Sequence, residues 1–386
     1  MSKLLKKLKP LEIGGKKFLL RVFSAILNCR IRGQYDPTGR QWNKVLLIRH
    51  EKIGDVVIAL TLVDEIKRHF PDCKVSFMAS KQNAVVVRND PRFDKIFVFK
   101  KSLKEDLRMA LKARREKFDC VIDLITHDSV TSMLLTRFCG PKAVKVGIGK
   151  ADHQDYYSLH LPHPLRNTDR HILDFHLDLV KVLGAEPSRP GRYVPLYIND
   201  TSNEKAREYY SSLNLTNELK IGLNISSGEP TRNWGADNFA VLAERLLERI
   251  ENSELIIITS SHEYDLGLKI KNAHSRRVHI VPQGLDFIEV SAVIRDLDML
   301  VSPDTSLVHV AGAFNVPVVA LYRRFMDEYK FWRPPHQKSG TVLSENEMDV
   351  FDITVERVMD EILKVTDEFN LAKNTLSPVV DSASED

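Results

Sequence analysis

Four short polar stretches in this 386-residue chain have the residue types and spacing to do chemistry. Asp304-Thr305-Ser306-Leu307-Val308-His309 follows the apolar run Met299–Ser302 and opens a segment of helical spacing. An Asp or Thr at such a turn caps the helix and leaves backbone N–H groups pointing outward, where the partial positive charge of the helix start suits a phosphate. His309 falls one turn further in. The same residues also read as ordinary capping with a core histidine. Ser226-Ser227-Gly228-Glu229-Pro230-Thr231-Arg232-Asn233-Trp234 follows another apolar run. Its paired hydroxyls and Arg232 are natural donors to a diphosphate, or members of a plain surface loop, and Trp234 is expected to cover the core. Glu263, in Ser260-Ser261-His262-Glu263, has the chemistry to accept hydrogen bonds from a ribose. Asp55, after Gly54, reads either as a helix cap or as a general base. Beside the positive end of a helix a carboxylate is a weak base at rest, yet it can take a proton late in a transfer.

The elements that must position these groups alternate in type. Apolar runs at Lys44–Arg49, Lys74–Met78, Ile96–Phe99, Cys120–Leu124 and Ala143–Gly147 read as buried parallel strands. Helical spacing fills 56–70, 81–88, 102–116 and 128–138, and His50–Asp55 reads as a loop. The grammar restarts at Lys220–Ile225, with further strands at Leu255–Thr259, His279–Val281, Met299–Ser302 and Val318–Tyr322. The fold class expected is α/β, two Rossmann-like doubly wound domains facing a central cleft at the carboxyl ends of their strands. Boundaries are expected at 41–200 and 201–370, preceded by a basic arm, 1–40, and followed by an acidic disordered tail, 371–386.

Composition excludes several classes. The chain is 43% hydrophobic and 28% charged, as globular proteins are. Its four cysteines, Cys29, Cys73, Cys120 and Cys139, form no CxxC pair, which removes a zinc ribbon and fits a reducing compartment. Residues 1–32 hold nine basic side chains against one acid, a net +8, so the rest of this net +4 chain sums to −4. That balance argues against whole-protein nucleic-acid binding. Leu19, Val22, Phe23, Ile26 and Leu27 make an apolar helix face beside Lys16, Lys17 and Arg21, suited to an anionic membrane surface or to packing on the protein body. No G-x-G-x-x-G, Walker A, H-E-x-x-H or G-x-S-x-G motif is present. The missing glycine fingerprint counts against a nicotinamide-dependent oxidoreductase. No metal site is expected.

Lys44-Val-Leu-Leu-Ile-Arg…Ile53-Gly54-Asp55-Val56-Val57 resembles the opening of glycosyltransferase family 9, the lipopolysaccharide heptosyltransferases. Pro303-Asp304-Thr305-Ser306-Leu307-Val308-His309-Val310-Ala311…Pro317-Val318 resembles that family's D-T-G-x-x-H-x-A…P signature, and His171 ahead of Leu183-Gly184 and Phe331-Trp332-Arg333-Pro334 add to the match over 44–365. The resemblance implies a GT-B fold and an inverting, metal-independent transfer from a nucleotide sugar, ADP-heptose as the usual donor and no other cofactor. The implied acceptor is the lipid-linked inner-core oligosaccharide, and the implied place the cytoplasmic face of the inner membrane. It assigns Asp55 as catalytic base, and Ser226, Ser227, Arg232, Glu263, Asp304, Thr305, Ser306 and His309 to the donor. Ser306 stands where the family commonly has glycine, which would crowd a phosphate or move the backbone. Lys81, Arg137, Lys145, Arg166 and Arg170, with Arg88 and Lys142, are the cations expected to meet acceptor phosphates and carboxylates. Transfer of a different sugar such as a hexose, and a non-catalytic glycan- or nucleotide-binding protein, are the alternatives.

Overall fold

The computed structural model describes residues 36–37, 39–150, 154–162, 170–187, 193–213, 215, 219–274, 276–334 and 339–371. Residues 1–35 of the basic arm, Arg166, and residues 372–386 of the tail lie outside the described residues. The chain divides into two compact units, Met1–Pro190 and Gly191–Asp386, ten residues ahead of the boundary expected at 200.

The first unit runs β1 (Lys44–Ile48), α1 (Ile53–His69), β2 (Lys74–Ser80), β3 (Lys95–Phe99), α2 (Leu103–Arg115), β4 (Cys120–Asp123), α3 (Val130–Cys139), β5 (Val144–Ile148), β6 (Leu159–Leu161) and α4 (Ile172–Val182). Its six strands are parallel in the order β3-β2-β1-β4-β5-β6. Strands covered on both faces need unbroken apolar runs, and Val45, Leu46, Leu47 and Ile48 of β1 are fully buried. The helix expected near 81–88 is only a 3₁₀ turn, Ala84–Val86. The three-residue β6 and the helix α4 are additions to the expected set. Residue His171 opens α4 with a capping box: its ring accepts from the Leu173 N–H at 3.2 Å, and the Asp174 carboxylate accepts from the His171 N–H at 3.1 Å.

The second unit runs α5 (Asp200–Ser212), β7 (Leu219–Asn224), α6 (Ala236–Arg249), β8 (Ser253–Ile258), α7 (Tyr264–Ala273), β9 (Val278–Ile280), α8 (Phe287–Arg295), β10 (Met299–Pro303), α9 (Ser306–Ala313), β11 (Val318–Tyr322), α10 (Met326–Trp332), β12 (Ser339–Leu343) and α11 (Val355–Glu368). Its parallel order is β12-β11-β10-β7-β8-β9. Read from its first strand, this is the topology of the first unit again. In each sheet the strand order reverses between the first strand and the fourth, β1/β4 and β7/β10. Ligands of open α/β sheets bind at the carboxyl ends of the strands beside such a reversal. Trp234 is core, as expected. It is 2% exposed, meets Phe239 edge-on and donates from Nε1 to the Ile353 carbonyl at 2.7 Å.

The described cysteines, Cys73, Cys120 and Cys139, are buried free thiols. Burial pushes the Cys73 thiol up to about 11 and the Cys139 thiol up to about 12. None of the three is a nucleophile at neutral pH. Among the described residues no helix is long and apolar enough to cross a membrane.

Candidate functional site

In the first unit the helix α1 starts three residues earlier than a loop through Asp55 would allow, so Asp55 stands in its first turn. The carboxylate is 7% exposed. It makes no cap, so the ordinary-capping reading of this residue fails. It pairs instead with Arg49, which leaves the end of β1 and whose second terminal nitrogen donates to the Leu124 carbonyl beyond β4. One buried guanidinium therefore stitches the two strands at the reversal point and holds the carboxylate there. A charge-assisted pair in low dielectric fixes geometry more firmly than one in water. Asp55 Oδ1 makes no hydrogen bond among the described residues, which leaves a lone pair for a proton.

The wall behind this pair is held by a second ion pair. Lys150 and Asp123 meet at 3.0 Å with side chains 1% and 0% exposed. Asp123 also accepts from Ser132 Oγ at 2.7 Å, Tyr157 Oη at 2.6 Å and the Ile125 N–H at 3.1 Å. Lys150 donates further to the carbonyls of Ile125 at 2.6 Å and His127 at 3.0 Å. The segment after β4, whose Leu124 carbonyl receives Arg49, is thus pinned from both sides. Burial, with the Asp123 charge adding to it, pushes the Tyr157 hydroxyl far above its ordinary value, so it remains a donor. Lys150→Met leaves Asp123 buried without its counter-charge, and should cost about 3–5 kcal/mol in chemical denaturation. Adding Asp123→Asn should recover part of that loss. A double variant no more stable than the single one would refute the pairing.

His176 of α4 is buried behind the same site, its Nδ1 without a hydrogen bond among the described residues. Burial, with the Arg49 guanidinium adding to it, pushes its pKa down to about 4. Unfolding returns it to an ordinary value of about 6.5. Between those values the unfolded chain holds the extra proton, so acidification favours unfolding. Stability should fall from about pH 6.5 to about pH 4 by no more than about 3 kcal/mol through this one group, and not further below. Melting curves of His176→Gln across that range should drop less steeply; an unchanged slope would refute the assignment.

The second unit repeats the stitching with neutral groups. Asn224, at the end of β7, donates from Nδ2 to Ser302 Oγ at 2.9 Å and Thr305 Oγ1 at 3.2 Å beyond β10. Thr305 caps α9, accepting from the Leu307 N–H at 3.3 Å. The Ser306 N–H makes no hydrogen bond among the described residues and lies at the positive end of the helix. Arg232 comes from the loop after β7 and pairs with Asp304 at 2.8 Å, their side chains 14% and 19% exposed. Glu229 lies 3.4 Å from its Nε. His309 is 6% exposed, and its Nδ1 meets Tyr193 Oη at 2.6 Å. At the flank, Ser226 Oγ accepts from the Ser260 N–H at 2.7 Å, and Glu263 accepts from Asn233 Nδ2 at 2.7 Å and Ser260 Oγ at 3.1 Å. A guanidinium, a helix start and a hydroxyl collected at one strand edge have the chemistry to cradle a diphosphate.

The family model for glycosyltransferase family 9 (heptosyltransferase) matches residues 107–359. The chain belongs to glycosyltransferase family 9. It is 21% identical over 283 residues to the lipopolysaccharide core heptosyltransferase OpsX of Haemophilus influenzae, covering 72% of this chain and 78% of that one. It is 19% identical over 296 residues to the lipopolysaccharide heptosyltransferase 1 of Campylobacter coli, covering 72% and 83%. Among solved structures, the glycosyl transferase family 9 protein of Veillonella parvula matches with a TM-score of 0.71 at 18% identity, over 85% of this chain and 98% of that one. The E. coli heptosyltransferase WaaC with ADP matches with a TM-score of 0.64 at 14% identity, over 84% and 98%. At these identities the structures speak for the GT-B fold alone.

In this glycosyltransferase the donor residues expected from sequence gather at the carboxyl edge of the second sheet. Ser226, Arg232, Asp304, Thr305, Ser306 and His309 stand beside the β7/β10 reversal, and Glu263 at the end of β8. Ser227 is turned to local use, donating to the Glu229 carbonyl at 2.8 Å and accepting from the Glu229 N–H at 3.2 Å. Asn224, Ser302 and Tyr193 were not expected; each lies outside the loops that sequence pattern singles out. Lys145 corrects the acceptor set. It lies in β5, with β4 and β6 on either side, is 2% exposed, and donates to the carbonyls of Ala143 at 2.6 Å and Pro141 at 3.4 Å. A buried ammonium satisfied by carbonyls is not available to an acceptor. Lys81, Arg88 and Lys142 are exposed, and Arg137 is half-buried on α3. Arg170 is exposed at the start of α4, 2.7 Å from Asp178 and stacked over the Phe175 ring. Among the described residues no group of three or more His, Cys, Asp or Glu gathers in a way that would hold a metal ion.

Proposed function

We propose that this glycosyltransferase moves heptose from ADP-heptose onto the inner core of lipopolysaccharide or lipooligosaccharide, with inversion at the anomeric carbon. The single observation that carries the reading is the cradle at the β7/β10 edge, where Arg232, the Thr305-capped start of α9 and Ser226 present donors to a nucleotide diphosphate. In the proposed step an acceptor hydroxyl oxygen bonds to the anomeric carbon as the bond to the diphosphate oxygen breaks. The hydroxyl proton passes to Asp55. Arg232 and the Ser306 N–H stabilise the charge growing on the departing diphosphate. In this reading His309, one turn into α9 and hydrogen-bonded through Nδ1 to Tyr193, holds a sugar hydroxyl or phosphate oxygen. The names of the family relatives in Haemophilus influenzae and Campylobacter coli support the sugar and the core acceptor. The reading carries with it a place at the cytoplasmic face of the inner membrane and no resident cofactor.

The test is direct. Purified protein is incubated with ADP-heptose and a core glycolipid lacking the added sugar, and the product is weighed by mass spectrometry. A mass gain of one heptose with release of ADP, and an anomeric configuration opposite to the donor's by NMR, are the expected results. A gain of one hexose from a hexose donor, with none from ADP-heptose, overturns the donor assignment.

A further inference from the structure

The helix α2 carries an apolar strip that the fold does not use. Its inner face, Met109, Ala110 and Ala113, packs into the core of the first unit with Leu46, Ile48 and Met78. Its outer side presents Leu103, Leu107 and Leu111, which are 90%, 51% and 42% exposed. They are four residues apart and so lie along one side of the helix. Large apolar side chains scattered singly on a surface need no account, but three in a row do.

The charge around the strip says what would cover it. Residues 100–117 hold eight basic and three acidic side chains, a net +5, although everything after residue 32 sums to −4. Lys104, Arg108 and Lys112 each follow one of the leucines, so a basic strip borders the apolar one. None of these three makes a hydrogen bond or a close ion pair among the described residues. The acids are already engaged: Glu105 pairs with Lys100 at 3.0 Å, Glu116 with Lys95 at 2.6 Å, and Asp106 accepts from the N–H groups of Lys100 and Ser102. An apolar strip edged by uncompensated cations is the pattern of a helix that lies in a membrane interface, leucines among the acyl chains and ammonium groups at the headgroups. A three-residue link joins the helix to β3, whose last residue, Phe99, packs its ring 5.0 Å from that of His50, next to Arg49. The strip therefore begins at the same sheet edge as Asp55.

We propose that α2 is a membrane-docking surface that inserts Leu103, Leu107 and Leu111 into an anionic bilayer, separately from anything the basic N-terminal arm does. The proposal does not depend on the transfer chemistry, because its readout is vesicle binding. An environment-sensitive dye is placed on Leu107→Cys in a full-length chain with Cys29→Ser, and a control dye on Val241→Cys of α6, another exposed apolar helix position. The vesicles are phosphatidylcholine alone, or phosphatidylcholine with phosphatidylglycerol in equal parts. The expected result is a blue shift at Leu107 with the anionic vesicles only, and none at Val241. Lys104→Glu, Arg108→Glu and Lys112→Glu together should weaken binding at this site by about a hundredfold. Leu103→Gln, Leu107→Gln and Leu111→Gln together should weaken co-sedimentation with little change in Tm, since all three lie on the exposed side of the helix and none belongs to the buried core. Co-sedimentation of the chain with no shift at Leu107 would overturn the proposal and leave the contact elsewhere. A shift at Leu107 that appears without vesicles and grows with protein concentration would overturn it in favour of a second copy or another protein surface.

Discussion

Asp55→Asn is expected to lower kcat by about 10²–10⁴-fold while leaving ADP binding intact. The amide keeps an oxygen for Arg49 but has no lone pair basic enough to take the acceptor's proton. The residues assigned to the donor in this reading are all in the second unit, so calorimetric binding of ADP should not change. Two further effects separate this chemistry from loss of fold. The variant leaves the Arg49 guanidinium buried without its counter-charge, which should destabilise the first unit by about 1–3 kcal/mol and show as a lower Tm. Arg49→Lys should show the same sign in kcat with a smaller effect, because lysine supplies charge without the fork that reaches both Asp55 and the Leu124 carbonyl. Normal turnover in Asp55→Asn would remove this carboxylate as the base.

Arg232→Met is expected to lower kcat/KM for the nucleotide sugar by about 10²–10³-fold. In the proposed step the diphosphate gains charge beside the start of α9 when the bond to the anomeric carbon breaks, and Arg232 is the cation that Asp304 holds there. Its contribution should exceed that of any single hydroxyl in the cradle. Arg232→Lys should recover only part of the loss, since a point charge cannot span Asp304 and a phosphate together. Thr305→Val should cost less, about 1 kcal/mol, through the lost cap. If Arg232→Met and Thr305→Val had equal effects on donor turnover, the guanidinium would hold no special place in the site.

The sheet alternation was legible because parallel strands buried on both faces must be apolar runs, and the chain spells them out from Lys44–Ile48 to Val318–Tyr322. Short elements escaped. Three residues of β6 carry no periodicity, and β12 has buried residues only at alternate positions. Asp55 was legible as a carboxylate near a turn, but not its partner. Arg49 looked like the last residue of a strand; only the neighbouring strand β4 makes it a clamp. Lys145 looked like one surface cation among many, yet it sits inside the apolar run Ala143–Ile148, and that context was the signal that it would be buried.

What the sequence determined by itself was the set of elements and the chemical inventory: which carboxylates, hydroxyls and cations fall at strand ends, since that depends on local pattern alone. What the tertiary structure decided was which of them act together. Arg49 meets Leu124 across 75 residues, Asn224 meets Ser302 across 78, and Tyr193 meets His309 across 116. The order of the strands brings those strangers together, and that order follows from long-range burial of apolar faces, which no local window of sequence records.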